Sequence, residues 1–267
     1  GNTVTSSTGV TVTAAANKGT LGGTLILDGT AATATFTNLK INEVDTGYIL
    51  TFTSASLGFT VSGAALAVTA GPPDSLHVAT EASGATGGTP FAQQPAITFK
   101  DAGGNPTANV GIAVSASLAA SGTQGTLGGN LTATIGSGQV SAAFTNLKIN
   151  EAGQNYILTF TANSHIVNGA AFAVTIGSPA QIKVKTQPTG AKGGEAFSTQ
   201  PAVSLCDAGG NVVTSGDGVT VTVAASKGTL SGSLSATGAA ASGVATFSDL
   251  AINEAGTGYI LMFTGTS

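Results

Sequence analysis

One block occurs three times in the chain: FTNLKINEVDTGYILTF from Phe36 to Phe52, FTNLKINEAGQNYILTF from Phe144 to Phe160, and FSDLAINEAGTGYILMF from Phe247 to Phe263. In every copy the leading Phe and the Tyr are twelve residues apart. The block therefore accepts changed side chains but not a changed length, and it reads as the end of one strand, a turn and the strand paired across a sandwich. The Tyr recurs at 48, 156 and 259, and a second motif, DAGGN, begins at Asp101 and again at Asp207, 106 residues on. A period near a hundred residues is a whole domain rather than a solenoid unit. Gly71-Pro72-Pro73 and Gly177-Ser178-Pro179 punctuate the series. The expected units are 1–71, lacking its first strands, 72–177, complete, and 178–267, lacking its last strand. Gly1 falls in register with Gly104 and Gly210, and Ser267 with Ser164, so the chain reads as a cut from a longer one, with targeting signals outside it.

The residues between these markers are those of β-structure. Only 7% are charged and the net charge is −4, which leaves no basic patch for nucleic acid and no polybasic or long apolar segment for a membrane. Thr, Ser, Ala and Gly take the surface role, and β-branched runs broken by Gly predict an all-β fold. With one Cys and no Trp, each unit must rest on its own core without a disulfide.

In the complete unit a first strand is expected at 75–80, a Gly-rich crossing at 84–89, and a second strand at 95–100 opened by Pro95, where a missing N–H does least harm. Alternation places Ile97 and Phe99 inward and Thr98 and Lys100 outward. DAGGN then turns. Val10 to Val12, Ile112 to Val114 and Val219 to Val223 mark the next strand, and Gly-Thr-Leu at 19, 125 and 228 opens another. Before that triplet the middle unit carries four extra residues within LAASGTQ, a variable end loop. The strand of the repeated Tyr puts Tyr156, Leu158 and Phe160 inward. A final strand at 171–176 runs almost directly into the next unit, so the joints bend without tumbling freely, and each unit adds roughly 35 to 45 Å to a rod.

Short strands at this spacing, a Tyr at the start of a late strand and no Cys pair or core Trp indicate a non-antibody immunoglobulin-like sandwich. QPAITFKDAGGNP (Gln94 to Pro106), QPAVSLCDAGGNV (Gln200 to Val212), the GTL triplets and GVATFSDLAINEAGTGYIL (Gly243 to Leu261) resemble the tandem bacterial Ig-like domains of invasin- and intimin-related surface proteins and of giant envelope repeat proteins. The resemblance spans the whole chain. It implies tandem immunoglobulin-like β-sandwich domains in a rod, a bacterial origin and an extracellular or cell-surface location. In such modules the Tyr is a corner residue, ring buried and hydroxyl bonded to the turn backbone.

Candidate chemistry is sparse. His77 and His165 have no counterparts in the other repeats and fall in a strand and in a loop before the last strand, both read as surface positions. Asp101, Asn105, Asp207 and Asn211 could offer oxygens to calcium, joined by Glu151 or Glu254 if the loops share an end, but calcium takes six to eight oxygens, and Asp and Asn are also what a tight turn selects. Lys40 and Lys148, beside Asn42-Glu43 and Asn150-Glu151, evoke an isopeptide bond, yet they alternate outward and the third copy has Ala251, so a solvated edge Lys is the better reading. Cys206 replaces Lys100 at an outward position, where a free thiol could crosslink chains or be incidental. The expectation is no enzyme, no cofactor, and no catalytic, cofactor-binding or metal-ligating set. It is a structural rod, stalk or filament whose partners are copies of itself or neighbouring repeats. The alternative is an adhesin module whose end loops, such as 118–124, bind a receptor or carbohydrate, although aromatic residues are missing from those loops.

Overall fold

A computed structural model describes residues 10–28, 33–108, 111–119, 125–214, 220–238 and 242–266. All regular structure among them is β-strand. The middle repeat shows the full pattern, in twelve short strands: β1 (Ser75–Thr80), β2 (Ala85–Thr86), β3 (Ala96–Lys100), β4 (Ala113–Leu118), β5 (Leu127–Gly128), β6 (Thr132–Thr134), β7 (Ser141–Ala143), β8 (Lys148–Ile149), β9 (Gly153–Tyr156), β10 (Leu158–Ala162), β11 (His165–Asn168) and β12 (Phe172–Thr175). One sheet runs β7-β3-β1 and the facing sheet β6-β4-β10-β11. A third, β2-β12-β9, closes one side, with β12 parallel to β2 and antiparallel to β9. The pair β5-β8 completes the unit.

Alternation builds the core. Along β4, Val114 and Ala116 turn inward while Ala113, Ser115 and Ser117 face solvent. They meet Ile97, Phe99, Ala142, Phe144, Leu147, Ile149, Leu158 and Phe160 in a single cluster. A second cluster gathers Phe197, Val203, Leu205, Val221, Val223, Ala245, Phe247, Leu250 and Ile252 from the third repeat. Burying each aromatic or aliphatic side chain is worth about 1.5–3 kcal/mol. In all three repeats the first and last Phe of the repeated block pack on each other, with ring centroids 5.4 Å apart for Phe36–Phe52, Phe144–Phe160 and Phe247–Phe263. The intervening chain has to leave one sheet and return in the other so that these rings meet. That closure fixes the block's length.

The structure departs from the sequence expectation in four places. The strand of the repeated Tyr is two strands: β9 pairs with β12, and β10 pairs with β4 and β11 in a different sheet. The residue just before the Tyr has positive φ in every copy (Gly47, Asn155, Gly258), a left-handed kink that Gly and Asn tolerate and that re-aims the chain between sheets. His165 lies in β11 rather than in a loop, and its ring is half-buried edge-on to Phe99 at 5.8 Å. Thr98 points away from Ile97 and Phe99 but is buried, its hydroxyl donating to Val140 O at 2.6 Å. The strand expected at 112–114 begins one residue later and runs to Leu118. The Gly-rich crossing holds the short strand β2, and the first and second strands otherwise fall where expected. Most of the 118–124 loop lies outside the described residues.

Candidate functional site at the junction between repeats

The chemistry-bearing side chains that the structure brings together are Asp101 and Asn105, and again Asp207 and Asn211. Each DAGGN motif first closes on itself. Asp101 N donates to Asn105 O at 2.9 Å and Gly104 N to Asp101 O at 2.9 Å, while Asp101 Oδ1 accepts from Gly103 N at 2.9 Å and Asn105 N at 2.8 Å. The third repeat reproduces the set around Asp207, with Gly209 N and Asn211 N both 2.9 Å from its Oδ1. Each Asn also donates its side-chain amide to the Asp carboxylate at about 3 Å, which fixes the amide plane. This much is the tight turn that Asp and Asn favour.

The remaining valences reach across to the preceding repeat. Asp101 Oδ2 accepts from Gly71 N at 2.9 Å and Asp207 Oδ2 from Gly177 N at 3.0 Å, so the connecting segment is tied to the turn. Asn105 Nδ2 donates to Asn42 O at 2.6 Å while Asn105 Oδ1 accepts from Val44 N at 3.1 Å. Asn211 does the same with Asn150 O at 2.8 Å and Ala152 N at 2.9 Å. One side-chain amide thus pairs with the backbone on both sides of a Glu. The Glu carbonyl between them is held from inside its own repeat: Tyr48 Oη donates to Glu43 O at 2.9 Å and Tyr156 Oη to Glu151 O at 3.0 Å. The expected corner tyrosine is therefore present, and the turn it braces is the surface on which the next repeat docks.

Glycine permits the approach. A Cβ on Gly209 would sit 1.9 Å from Asn150 O, and one on Gly103 2.5 Å from Asn42 O. The carboxylates are tuned by the same contacts. The Gly71 amide, then the Asn105 amides, hold the Asp101 carboxyl at about 2. Burial pushes Asp207 up, but the Gly177, Asn211 and Gly209 donors outweigh it and leave the group below its ordinary value. Both oxygens of each carboxylate are engaged by N–H donors, an arrangement suited to an anion bound by amides rather than to a cation ligand. Among the described residues no three His, Cys, Asp or Glu side chains gather as a metal site. The loops of Asp101 and Glu43, and of Asp207 and Glu151, do share an end, across the junction and through the Glu backbone.

Other candidates stay apart. Lys40 and Lys148 are exposed on two-residue strands, and Asn150 Oδ1 accepts from Thr126 N at 2.5 Å within its own repeat. His77 is exposed beside Ser75 Oγ at 3.2 Å. Cys206 corrects its sequence reading: it is 1% exposed. Both faces of its strand, Ala202–Cys206, are covered, so the alternation that put Lys100 outward does not expose the thiol. Burial raises its pKa, offset in part by Lys183 and reinforced by Asp207. Sequence reasoning identified the turn but not the clamp. The available signal was that DAGGN follows each Gly of the connecting segment by thirty residues in both junctions.

No family profile matches the chain, and no curated protein matches it. Among solved structures it is similar to invasin, described as a bacterial integrin-binding protein, at 16% identity over 96% of this chain and 49% of that one, with a TM-score of 0.29. It is also similar to domains 4–9 of the surface layer protein SbsC, at 19% identity over 84% of this chain and 36% of that one, with a TM-score of 0.30. The chain spans half or less of the length of either structure.

Proposed function

We propose that the chain is a structural segment of a bacterial cell-surface rod or stalk, built from three immunoglobulin-like modules, 1–71, 72–177 and 178–267, with stiff joints. The observation that carries this reading is the clamp between modules, formed twice with the same donors and acceptors. A flexible tether needs only a linker, whereas here the linker amide, a turn carboxylate and an Asn amide are engaged together, and each bond restricts swing and twist at the joint. A low density of charge is consistent with the role, since neutral Thr- and Ala-rich faces pack beside neighbours with little desolvation of ions.

Small-angle X-ray scattering on the chain tests the stiffness. The expected profile is that of an extended particle fitted by one conformer. Asn105→Ala together with Asn211→Ala should require an ensemble with a wider spread of end-to-end distances, with the circular dichroism spectrum unchanged. A native profile that already demands such an ensemble would remove the basis for the rod. Immunogold labelling of intact cells tests location, with label on the outer surface expected.

A further inference from the structure

In the middle repeat, β12 lies between β2 and β9. Ala85 and Thr86 pair with Val174 and Thr175 on one side, and Gly153 and Tyr156 with Val174 and Phe172 on the other. The Phe172 ring fills the space between Phe91 and Tyr156, with centroids 5.6 Å and 6.3 Å away. In the first repeat Leu66–Val68 takes the corresponding place beside Asp45–Tyr48. The two inserted segments share one pattern: Gly63 to Thr69 reads GAALAVT and Gly169 to Thr175 reads GAAFAVT.

The third repeat has the walls without the insert. Phe197, Ile252, Tyr259 and Leu261, which match Phe91, Ile149, Tyr156 and Leu158, line an open groove of about 380 Å³ together with Ala191 and Gly193. Among the described residues no strand lies along it. Residues 253–260, which correspond to the stretch holding β9, form no strand, and Tyr259 is partly exposed where Tyr48 and Tyr156 are buried. The Tyr259 hydroxyl still donates to Glu254 O at 2.9 Å, so the groove is shaped by the same corner as its filled counterparts. It presents two unpaired strand edges flanking an apolar slot, the condition under which an extended segment adds as a strand, with backbone bonds supplying affinity and alternate side chains specificity.

We infer that this groove is a docking site for an extended segment supplied by another molecule, of the pattern Gly-Ala-Ala-Φ-Ala-Val-Thr, in which Φ is Phe or Leu and enters between Phe197 and Tyr259. The occupant is defined by what fills the equivalent groove in the other two repeats. The site lies away from both inter-repeat clamps and does not depend on the rod reading.

The test uses the 267-residue chain and a fluorescent nine-residue peptide, GAAFAVTIG, copied from Gly169 to Gly177. Anisotropy should saturate at one peptide per chain, and hydrogen exchange should slow at residues 191–193 and 256–261. A peptide with Ala in place of Phe172 should bind at least tenfold more weakly, and a scrambled peptide should not bind. Because these changes are made in the peptide, misfolding of the chain cannot mimic the result. If the chain self-associates alone and the peptide disperses it, a second copy is the natural donor. Failure to saturate at millimolar peptide, equal binding of the scrambled sequence, or protection outside the groove would overturn the inference. The scattering result for the joints would stand in either case.

Discussion

Tyr156 Oη is the one polar atom of a buried aromatic ring, and it donates to the carbonyl of the residue five positions earlier. Removing it leaves Glu151 O inside a tightly engaged turn with one donor fewer. Tyr156→Phe is expected to lower stability by about 1–2 kcal/mol, the scale of one buried hydrogen bond, and denaturant unfolding reads it directly. An unchanged midpoint would mean that the hydroxyl exchanges its partner for water at no loss. Cys206 makes a second residue-scale prediction. A buried thiol with a raised pKa offers little thiolate, so it should resist a disulfide reagent in native buffer and react fully only in denaturant. A chain that dimerises on a non-reducing gel without prior unfolding would contradict the buried placement.

Among the elements, the DAGGN turn has the sharpest steric requirement. Gly209→Ala places a methyl group into Asn150 O, an approach that only backbone displacement relieves. The collision is between repeats, so the turn can relieve it by moving away from the preceding unit while both hydrophobic clusters stay intact. The expected outcome is an unfolding curve nearly unshifted for the third repeat, with a broadened distance distribution across the second junction in spin-label measurements. Gly210→Ala makes a useful contrast, since its positive φ puts strain in the turn itself. The strands were legible because period-two alternation and turn residues act locally: β1 and β3 fall where Ser75–Thr80 and Pro95–Lys100 placed them. The sheet switch at Ile157 was not, because it depends on which partner strand lies beside each half. The clamp was hidden for a related reason. Asp and Asn in a Gly-rich turn satisfy one another, and nothing in 101–105 says that the free edge of Asn105 meets a backbone 63 residues earlier.

At the scale of the molecule, both junctions depend on an ionised carboxylate, and this gives the rod a pH at which it should soften. The Asp101 carboxyl is held at about 2 in the folded chain, against about 4 for an unperturbed Asp. A depressed pKa means that the junction contributes fully above about pH 4, and that the contribution is lost as protonation sets in on the way down to about 2. Protonation turns an acceptor facing the Gly71 amide into a group that no longer attracts it. Asp207, lowered by the matching donors around Gly177, acts with the same sign at the second junction. The hydrophobic clusters contain no carboxylate and have no reason to dissolve over this range. Scattering collected from pH 7 downward should therefore show constant stiffness to about pH 4 and a growing spread of conformers below it, with β-sheet circular dichroism retained. Asp101→Asn with Asp207→Asn should give the softened profile already at pH 7 and remove most of the pH dependence. A wild-type rod equally stiff at pH 2.5, or a double variant as stiff as wild type, would show that the linker and the Asn clamp hold the joint without the charge.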